Sequence, residues 1–328
     1  MNVYFKIIWI YLILLLSAGV QTVFAREVPS SIIFDTDISS DVDDVGAVAV
    51  LHSLAEEGKI QILAMMVSSG DPWSVPCLRA LNSWYGKGEI PVGQVKSRAV
   101  VHMSKYTEKI AREFGFGSTV KKDYPDAVAL YRAILAEQSD NSVTIVTVGY
   151  LTNLHNLINS PPDVYSPLHG RELVSLKVSK LVTMGGRYPN GREWNFYQDI
   201  ESTRSVVENW PTSIVFIGYE AGVDVLTGGK FQGISNNGPV ARAYALYNDT
   251  ANRPSWDQIA VLYGVVNEKK RRQYWSVHSG YNSVLNDGSN TWKKEIRTPT
   301  HKYVTQNIEN QTLINLIDKL MLPPYVQE

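Results

Sequence analysis

The stretch SIIFDTDISSDVDDVGAVAVLHSL, residues 31–54, carries the pattern that decides the fold. It opens with an apolar run at residues 32–34, which is typical of a short buried strand. A group of aspartates follows directly. Residues 45–54 then place apolar side chains at helical spacing until Gly58 ends the pattern. This order predicts a strand, an acidic turn and a helix.

Strand-like apolar runs and helical patterns continue to alternate along the chain. Predicted strands cover residues 60–67, 143–148, 181–184 and 214–217, and predicted helices cover residues 74–85 and 151–158. This alternation is typical of right-handed βαβ units. The sequence therefore predicts an α/β domain with a single open, mainly parallel, Rossmann-like sheet and helices on both faces. Sheets of this kind bind ligands at the carboxyl ends of their strands, so we expect the functional residues just after each strand.

The C-terminal part of the chain has a different pattern. Residues 273–294 are rich in aromatic side chains, and the pair Asp287-Gly288 within them predicts a hairpin turn. Residues 308–322 have the spacing of a closing amphipathic helix. We therefore expect a small C-terminal β-hairpin and helix region.

The N-terminal segment has the pattern of a secretory signal peptide. Lys6 precedes an apolar run at residues 7–20, and a small residue, Ala25, ends the segment. A transmembrane anchor is the alternative, but the run is shorter than the ~20 residues that a span needs. The sequence thus predicts a signal peptide at residues 1–25, cleavage near Ala25, a domain at residues 26–328, and export to the periplasm or secretion.

Composition limits the classes of partner. The formal net charge is −1, which argues against nucleic-acid polymers and anionic membranes as partners of the mature chain. The length of 328 residues is enough for a large core. The single cysteine, Cys77, excludes an internal disulfide, and its apolar surroundings predict a buried side chain. A homo-oligomer is compatible with the sequence, which does not specify one.

The acidic turn holds an unusual density of carboxylates. Five aspartates lie within ten residues: Asp35, Asp37, Asp41, Asp43 and Asp44. Like charges this close repel one another unless a cation lies among them. Calcium takes six to eight oxygen ligands and tolerates irregular geometry, so the turn predicts a Ca²⁺ site. The alternative is a capped helix with a solvated acidic loop, since the helix dipole also favours aspartates at a helix start.

The spacing Asp-x-Asp…Asp-Asp after a first strand resembles the nucleoside hydrolase family, the inosine–uridine-type N-ribohydrolases. The resemblance implies that Asp37 is the catalytic base and a calcium ligand. It also implies that Asp44 is a calcium ligand and that Asp43 contacts the ribose hydroxyls. The loop is longer here than in the commonest family form, which leaves the roles of Asp41 and Asp35 open.

Two later segments fit the same family in the same order. Residues 146–153 resemble the strand-to-turn segment whose backbone carbonyl binds the metal, which implies the carbonyl of Val148 as a ligand. A Met-Gly-Gly turn at residues 184–186 precedes a Glu-aromatic-Asn segment. The resemblance implies that Glu193 and Asn195 hold the ribose 5′-hydroxyl, and it assigns Asn190 to a further ribose contact. Read alone, these segments are ordinary turns.

A third segment, Pro254-Ser255-Trp256-Asp257, precedes an apolar helix. The family has an acidic metal ligand at this helix start, which implies that Asp257 completes the calcium site. Many members carry a histidine directly before this aspartate, as the acid that protonates the departing base. Trp256 stands here instead, and none of the six histidines falls at a matching catalytic position.

The base-side residues resemble the purine-preferring branch of the family. That branch also has a tryptophan at this point, which implies that Trp256 stacks on a purine and raises its basicity. Asp71 corresponds to an aspartate that contacts the base in that branch, and Trp73 is a second stacking candidate. A simple packing role is the alternative for Trp73.

The resemblance implies hydrolysis of the N-glycosidic bond of ribonucleosides, with a purine preference, a calcium-activated water and Asp37 as the base. Two alternatives stay open. The missing histidine favours a non-catalytic metal- and ribose-binding protein of the same fold. The ribose side also matches better than the base side, which favours a hydrolase of another N-ribosylated small molecule.

Overall fold

The computed structural model describes residues 29–120, 123–233, 238–295 and 300–322. The predicted signal peptide at residues 1–25 lies outside these ranges. Within them, ten strands form one large sheet, and two further short strands pair separately. None of the helices in these ranges has the length and apolar character that a membrane crossing requires.

The large sheet is parallel over most of its width. Its strand order is β3-β2-β1-β4-β5-β7-β12-β10-β11-β6. The seven strands from β3 to β12 in this order run parallel, and the last three are antiparallel to their neighbours. The strands are β1 (Ser30–Thr36), β2 (Ile60–Val67), β3 (Val92–Gln94), β4 (Val143–Thr147), β5 (Val178–Met184), β6 (Asn190–Arg192), β7 (Ser213–Ile217), β8 (Leu226–Thr227), β9 (Arg253–Pro254), β10 (Trp275–Val284), β11 (Ser289–Lys293) and β12 (His301–Gln306).

Helices connect the strands and cover both faces of the sheet. In the described ranges they are α1 (Asp43–Glu56), α2 (Ser74–Trp84), α3 (Thr107–Glu113), α4 (Ala127–Glu137), α5 (Thr152–Ile158), α6 (Gly170–Lys177), α7 (Trp194–Gln198), α8 (Ile200–Asn209), α9 (Tyr219–Gly222), α10 (Gly238–Asn248), α11 (Trp256–Val265), α12 (Glu268–Tyr274) and α13 (Asn310–Met321). This architecture confirms the predicted α/β fold with a mostly parallel sheet.

The alternation of side chains along β1 divides the apolar core in two. Ile32 and Phe34 face one core, which packs against α1, α11 and α13. Ile33 faces the other core, which packs against α4, α5 and α8. Because β1 is buried on both faces, its apolar run is continuous rather than alternating.

The C-terminal hairpin is part of the large sheet rather than a separate addition. Strands β10 and β11 form the predicted hairpin, and Gly288 in its turn has φ +81°, a conformation that favours glycine. The sequence did not reveal β12, which pairs with β7 on one side and with β10 on the other. The predicted closing helix is α13, and the hydroxyl of Ser53 in α1 donates to the Leu320 carbonyl at 2.6 Å.

Candidate active site

A cavity of about 510 Å³ lies at the carboxyl ends of the central strands, where β1, β4 and β5 end. The described residues that line it comprise six carboxylates, three arginines, five aromatic side chains and four others. They are Asp37, Asp41, Asp43, Asp44, Glu193 and Asp257; Arg187, Arg192 and Arg253; Trp194, Tyr197, Tyr219, Tyr247 and Trp256; and Ser40, Val148, Met184 and Asn195. Acid residues from distant parts of the chain thus meet in one place.

Three of the carboxylates form a tight cluster at two helix starts. Asp43 and Asp44 lie in the first turn of α1, and Asp257 lies in the first turn of α11. One carboxylate oxygen of each lies within 4.8 Å of the others. The Asp257 amide donates to Oδ2 of Asp43 at 3.3 Å, and the Thr36 hydroxyl donates to Asp44. The two helix N-termini therefore stabilise the negative charges that face each other.

The electrostatics of this cluster fit a bound cation. Burial raises the pKa of Asp43, Asp44 and Asp257 well above the usual range, and the neighbouring carboxylates raise it further. Such a group stays neutral unless a positive charge joins it. Carboxylate oxygens are the ligands that hard divalent cations prefer, so the donor set suits a metal ion of that class.

Asp37 lies beside the cluster and is also buried. Burial raises its pKa to about 7, while the neighbouring Tyr150 hydroxyl acts in the opposite direction. The adjacent backbone is that of Gly149, where a Cβ atom would lie 2.5 Å from the Asp37 nitrogen and 2.7 Å from its Oδ1. The turn after β4 thus packs directly against Asp37.

Asp35 points away from the cavity. Its carboxylate accepts hydrogen bonds from the Tyr131 hydroxyl at 2.9 Å and from Asn153 Nδ2 at 3.2 Å. Burial raises its pKa to about 7. Because successive side chains of β1 face opposite sides, Asp35 lies on the side of α4 and α5. It fastens these helices to β1.

The segment around α7 forms another part of the cavity lining. Asn195 Nδ2 donates to the Val148 carbonyl at 2.9 Å, and that carbonyl keeps a second lone pair. Glu193 caps α7 and accepts from the amides of Asn195, Gly186 and Phe196 at 2.8, 3.0 and 3.2 Å. Burial raises the pKa of Glu193 to about 7. Both polar side chains are therefore held rigidly at the cavity.

Asp41, the additional aspartate of the turn, pairs with Arg253. Nε of Arg253 lies 3.0 Å from Oδ1 of Asp41, and the guanidinium carbon lies 5.4 Å from the centre of the Trp256 ring. Trp256 donates its Nε1 proton to the Tyr219 carbonyl at 2.6 Å, and the two rings are 5.4 Å apart. The ion pair and these rings form a continuous wall.

Comparison with known proteins identifies the family. The family described as inosine-uridine preferring nucleoside hydrolase matches residues 32–313. The chain belongs to this family. Membership supports N-ribohydrolase activity on a small-molecule nucleoside, and the family is metal-dependent, in keeping with the aspartate cluster. A search of curated proteins found no match.

Several solved structures share the fold of this chain. One is a plant nucleoside hydrolase, 17% identical over 90% of this chain and 100% of that chain, with a TM-score of 0.67. An inosine-guanosine nucleoside hydrolase is 15% identical over 89% and 98%, with a TM-score of 0.67. The type III effector protein XopQ, complexed with adenosine diphosphate ribose, is 15% identical over 90% and 94%, with a TM-score of 0.66. These likenesses establish the fold.

In this member of the family, three residues proposed from the sequence lie outside the cavity lining. Asp71 accepts from the Thr107 hydroxyl at 2.7 Å and from the Trp73 amide at 3.1 Å. The Trp73 ring stacks under Arg112, with 4.6 Å between the guanidinium carbon and the ring centre. Asn190 is exposed in β6, opposite Thr291. The substrate contacts assigned to these three residues stay predictions, and Asp71 and Trp73 have partners on α3 in this structure.

Several lining residues were not found from the sequence. Tyr219 lies two residues after the end of β7, and the rule that ligands bind after strand ends could have located it. Tyr247 lies at the end of α10 and Arg253 in β9, where no local signal marks a site. Asp41 has no counterpart in the family pattern, and a partly buried carboxylate of this kind needs a cationic partner. The sequence does not say which of the 31 lysines and arginines provides it.

Proposed function

We propose that this chain hydrolyses the N-glycosidic bond of ribonucleosides, with a preference for purines, and releases ribose and the free base. The observation that supports it most directly is the buried cluster of Asp43, Asp44 and Asp257 beside Asp37 in one cavity. A hydrolase of this class needs paired polar groups that grip a sugar and a carboxylate that accepts a proton.

The proposed metal is Ca²⁺. Asp37, Asp44, Asp257 and the Val148 carbonyl would hold it, and Asp43, which belongs to the same cluster, would contact the ribose hydroxyls. When bound, a cation of this kind lowers the pKa of a water molecule and neutralises the carboxylates around it. All these donors are oxygens, which agrees with a hard cation.

Asp37 is the proposed general base. Its carboxylate would accept the proton from the water that attacks C1′, while the bond from C1′ to the base nitrogen breaks. The sugar then acquires oxocarbenium-like positive charge, which the carboxylates lining the cavity stabilise. Glu193 and Asn195 would hold the ribose 5′-hydroxyl. Since Asn195 Nδ2 is already bonded to the Val148 carbonyl, its Oδ1 is the atom left for the sugar.

The base would lie against Trp256 and Tyr219. An indole can stack on a purine over a larger area than on a pyrimidine, which supports the purine preference. Stacking also raises the basicity of the purine, so that solvent can protonate the departing base. Asp71 and Trp73 play no part in this proposal, since both lie outside the cavity lining.

The test is an assay of released ribose from inosine, guanosine and uridine, with and without a calcium chelator. Asp37→Asn should lower kcat about a thousandfold, in the range that loss of a general base costs. Asp224→Asn, an exposed aspartate away from the cavity, is the matched control and should keep full turnover. Unchanged turnover in Asp37→Asn would refute the assignment of the base.

A second candidate function is nucleoside binding without cleavage. It is favoured by the observation that no histidine lines the cavity among the described residues, and that Trp256 takes the place of the usual acid. Calcium-dependent binding of inosine with no release of ribose from any of the three nucleosides would establish this alternative.

A further inference from the structure

The carboxylates of the aspartate cluster come from two segments that are far apart in the sequence. Asp43 and Asp44 begin α1, and Asp257 lies in the first turn of α11. These groups must ionise to bind a cation, and their negative charges then repel one another and push the two helix starts apart. A contact that joins the two segments beside the cluster would oppose this repulsion.

The ion pair between Asp41 and Arg253 is such a contact. Nε of Arg253 lies 3.0 Å from Oδ1 of Asp41, and Nη2 donates to Oδ2 of the same carboxylate. A bidentate pair of planar groups fixes orientation as well as distance. The side chains of Arg253 and Asp41 are only 31% and 25% exposed, so salt screens the pair less than it screens a fully exposed one.

The two partners lie close in sequence to the carboxylates of the cluster. Asp41 lies two residues before Asp43 in the acidic turn, and Arg253 lies four residues before Asp257. The ion pair therefore joins the segment that leads into α1 to the segment that leads into α11. It links these segments at the wall of the cavity that holds the cluster.

The backbone is anchored at both ends of the pair. The Tyr106 hydroxyl donates to the Asp41 carbonyl at 2.5 Å. Arg253 lies in β9, where it pairs with Thr227 of β8, and the hydroxyl oxygens of Thr227 and Ser255 are 2.7 Å apart. Because neither partner lies on a free loop, the pair fixes the positions of the helix starts that follow it.

We propose that Asp41 and Arg253 are positioning residues, whose ion pair holds the starts of α1 and α11 at the separation that one cation requires before the cation binds. The inference rests on the proposed function, which assigns Asp44 and Asp257 to the metal. A site that is already in place loses less conformational freedom when the ion binds, so its affinity is higher. Neither partner needs to touch the ion or the reacting atoms.

The test is a calcium titration of the metal-stripped double variant Asp41→Asn/Arg253→Gln by calorimetry. This variant keeps the net charge beside the cluster, so its affinity for Ca²⁺ reports position rather than charge. We expect binding about five- to tenfold weaker than in the wild-type chain, since a charge-assisted bidentate contact that orders the site is lost.

The matched control is the double variant Glu113→Gln/Arg242→Gln. It removes an exposed bidentate pair between α3 and α10, with two nitrogen–oxygen distances of 2.8 Å, and neither residue lines the cavity. Its calcium affinity should equal that of the wild-type chain. Circular dichroism would verify that both variants are folded. If Asp41→Asn/Arg253→Gln does not fold, Arg253→Lys replaces it, keeps the charge without the bidentate geometry, and should also bind Ca²⁺ more weakly.

Two results would overturn the positioning role. Wild-type calcium affinity in Asp41→Asn/Arg253→Gln, even with a lower melting temperature, would show that the pair stabilises only the fold. Tighter calcium binding in the single variant Arg253→Gln, with no change in the double variant, would show that the pair acts only through charge.

An assay of ribose release from inosine separates this inference from the proposed function. If the wild-type chain cleaves inosine and all variants bind Ca²⁺ equally well, the proposed function stands and the positioning role is refuted. If the wild-type chain binds no Ca²⁺, the proposed metal and the positioning role fail together.

Discussion

At Gly149 the absence of a side chain lets the turn after β4 pack against Asp37. A Cβ here would lie 2.5 Å from the Asp37 nitrogen and 2.6 Å from its Cβ, distances that real structures avoid. Gly149→Ala should therefore displace Asp37. A displacement of about 1 Å can cost a hundredfold in rate, so we predict a fall of about that size in kcat.

The matched control for this prediction is Gly117→Ala. A Cβ at Gly117 would lie 3.0 Å from Arg112 Cγ and 3.2 Å from Arg112 Cα, looser contacts than the 2.5 Å at Gly149, and Arg112 is exposed and does not line the cavity. The control should leave the rate of ribose release unchanged. Full activity in Gly149→Ala, with an unaltered melting temperature, would mean that Asp37 tolerates the added carbon.

Individual site residues were predictable from the sequence only where the acidic pattern was local. Asp37, Asp43 and Asp44 lie in one short segment after β1. Their proximity could therefore be predicted from the local sequence alone. The partner of Asp41 lies 212 residues away in β9, and nothing near Arg253 marks it. Helix α3 supplies Thr107 and Arg112 as partners for Asp71 and Trp73, and no local pattern in the sequence predicts these contacts.

At the scale of elements, Arg132 on α4 fastens the segment between α5 and α6. Its buried guanidinium donates to the carbonyls of Ser166 and Leu168 at 3.0 and 2.9 Å, and it pairs with Asp163 at 2.8 Å between Nε and Oδ2. A lysine ammonium group cannot replace the planar guanidinium, whose several N–H donors bond to separate acceptors at the same time. We predict that Arg132→Lys lowers the free energy of unfolding by about 3 kcal/mol.

Urea unfolding followed by circular dichroism would measure this loss. Arg171→Lys provides the comparison, because Arg171 is exposed and makes a single hydrogen bond, to the Asn209 carbonyl at 3.0 Å. Its effect should stay within about 0.5 kcal/mol. Equal free energies of unfolding for the two variants would show that the buried guanidinium does not stabilise the segment between α5 and α6.

Elements with strong apolar runs were predicted well, and short or polar ones were not. Strand β2 has the predicted bounds, and the Asp-Gly hairpin is present, since both patterns are local. Strand β12 has only two buried positions, His301 and Val304, because its other side chains lie partly in solvent. Strand β6 has three residues, none of them buried. Pairing with distant neighbours, rather than composition, makes these segments strands.

At the scale of the whole molecule, acid should destabilise the fold partly through His52. Burial lowers the pKa of His52 from 6.5 to about 4, although a hydrogen bond with Asn82 at 2.8 Å opposes the shift. The unfolded chain therefore binds more protons than the folded chain between these two values. This contribution to stability is full above pH 6.5 and is lost as the pH falls toward 4.

His52→Gln keeps a hydrogen-bonding group near Asn82 but removes the titration. Between pH 7.5 and 4.5 the wild-type chain should lose about 2 kcal/mol more unfolding free energy than the variant, since one pKa unit corresponds to 1.36 kcal/mol. The carboxylates of the cavity titrate alike in both proteins, so the difference isolates His52. Identical losses in the two chains would assign the acid sensitivity elsewhere.

Calcium titration of the metal-stripped protein by calorimetry tests the central claim most directly, because the buried aspartates bring α1 and α11 together around one proposed ion. We predict one Ca²⁺ per wild-type chain, and binding at least about tenfold weaker in Asp44→Asn and Asp257→Asn, as loss of a charged ligand removes a strong interaction. Binding by the control Asp224→Asn should equal wild type. No calcium binding by the wild-type chain, or equal affinity in all four proteins, would contradict the account.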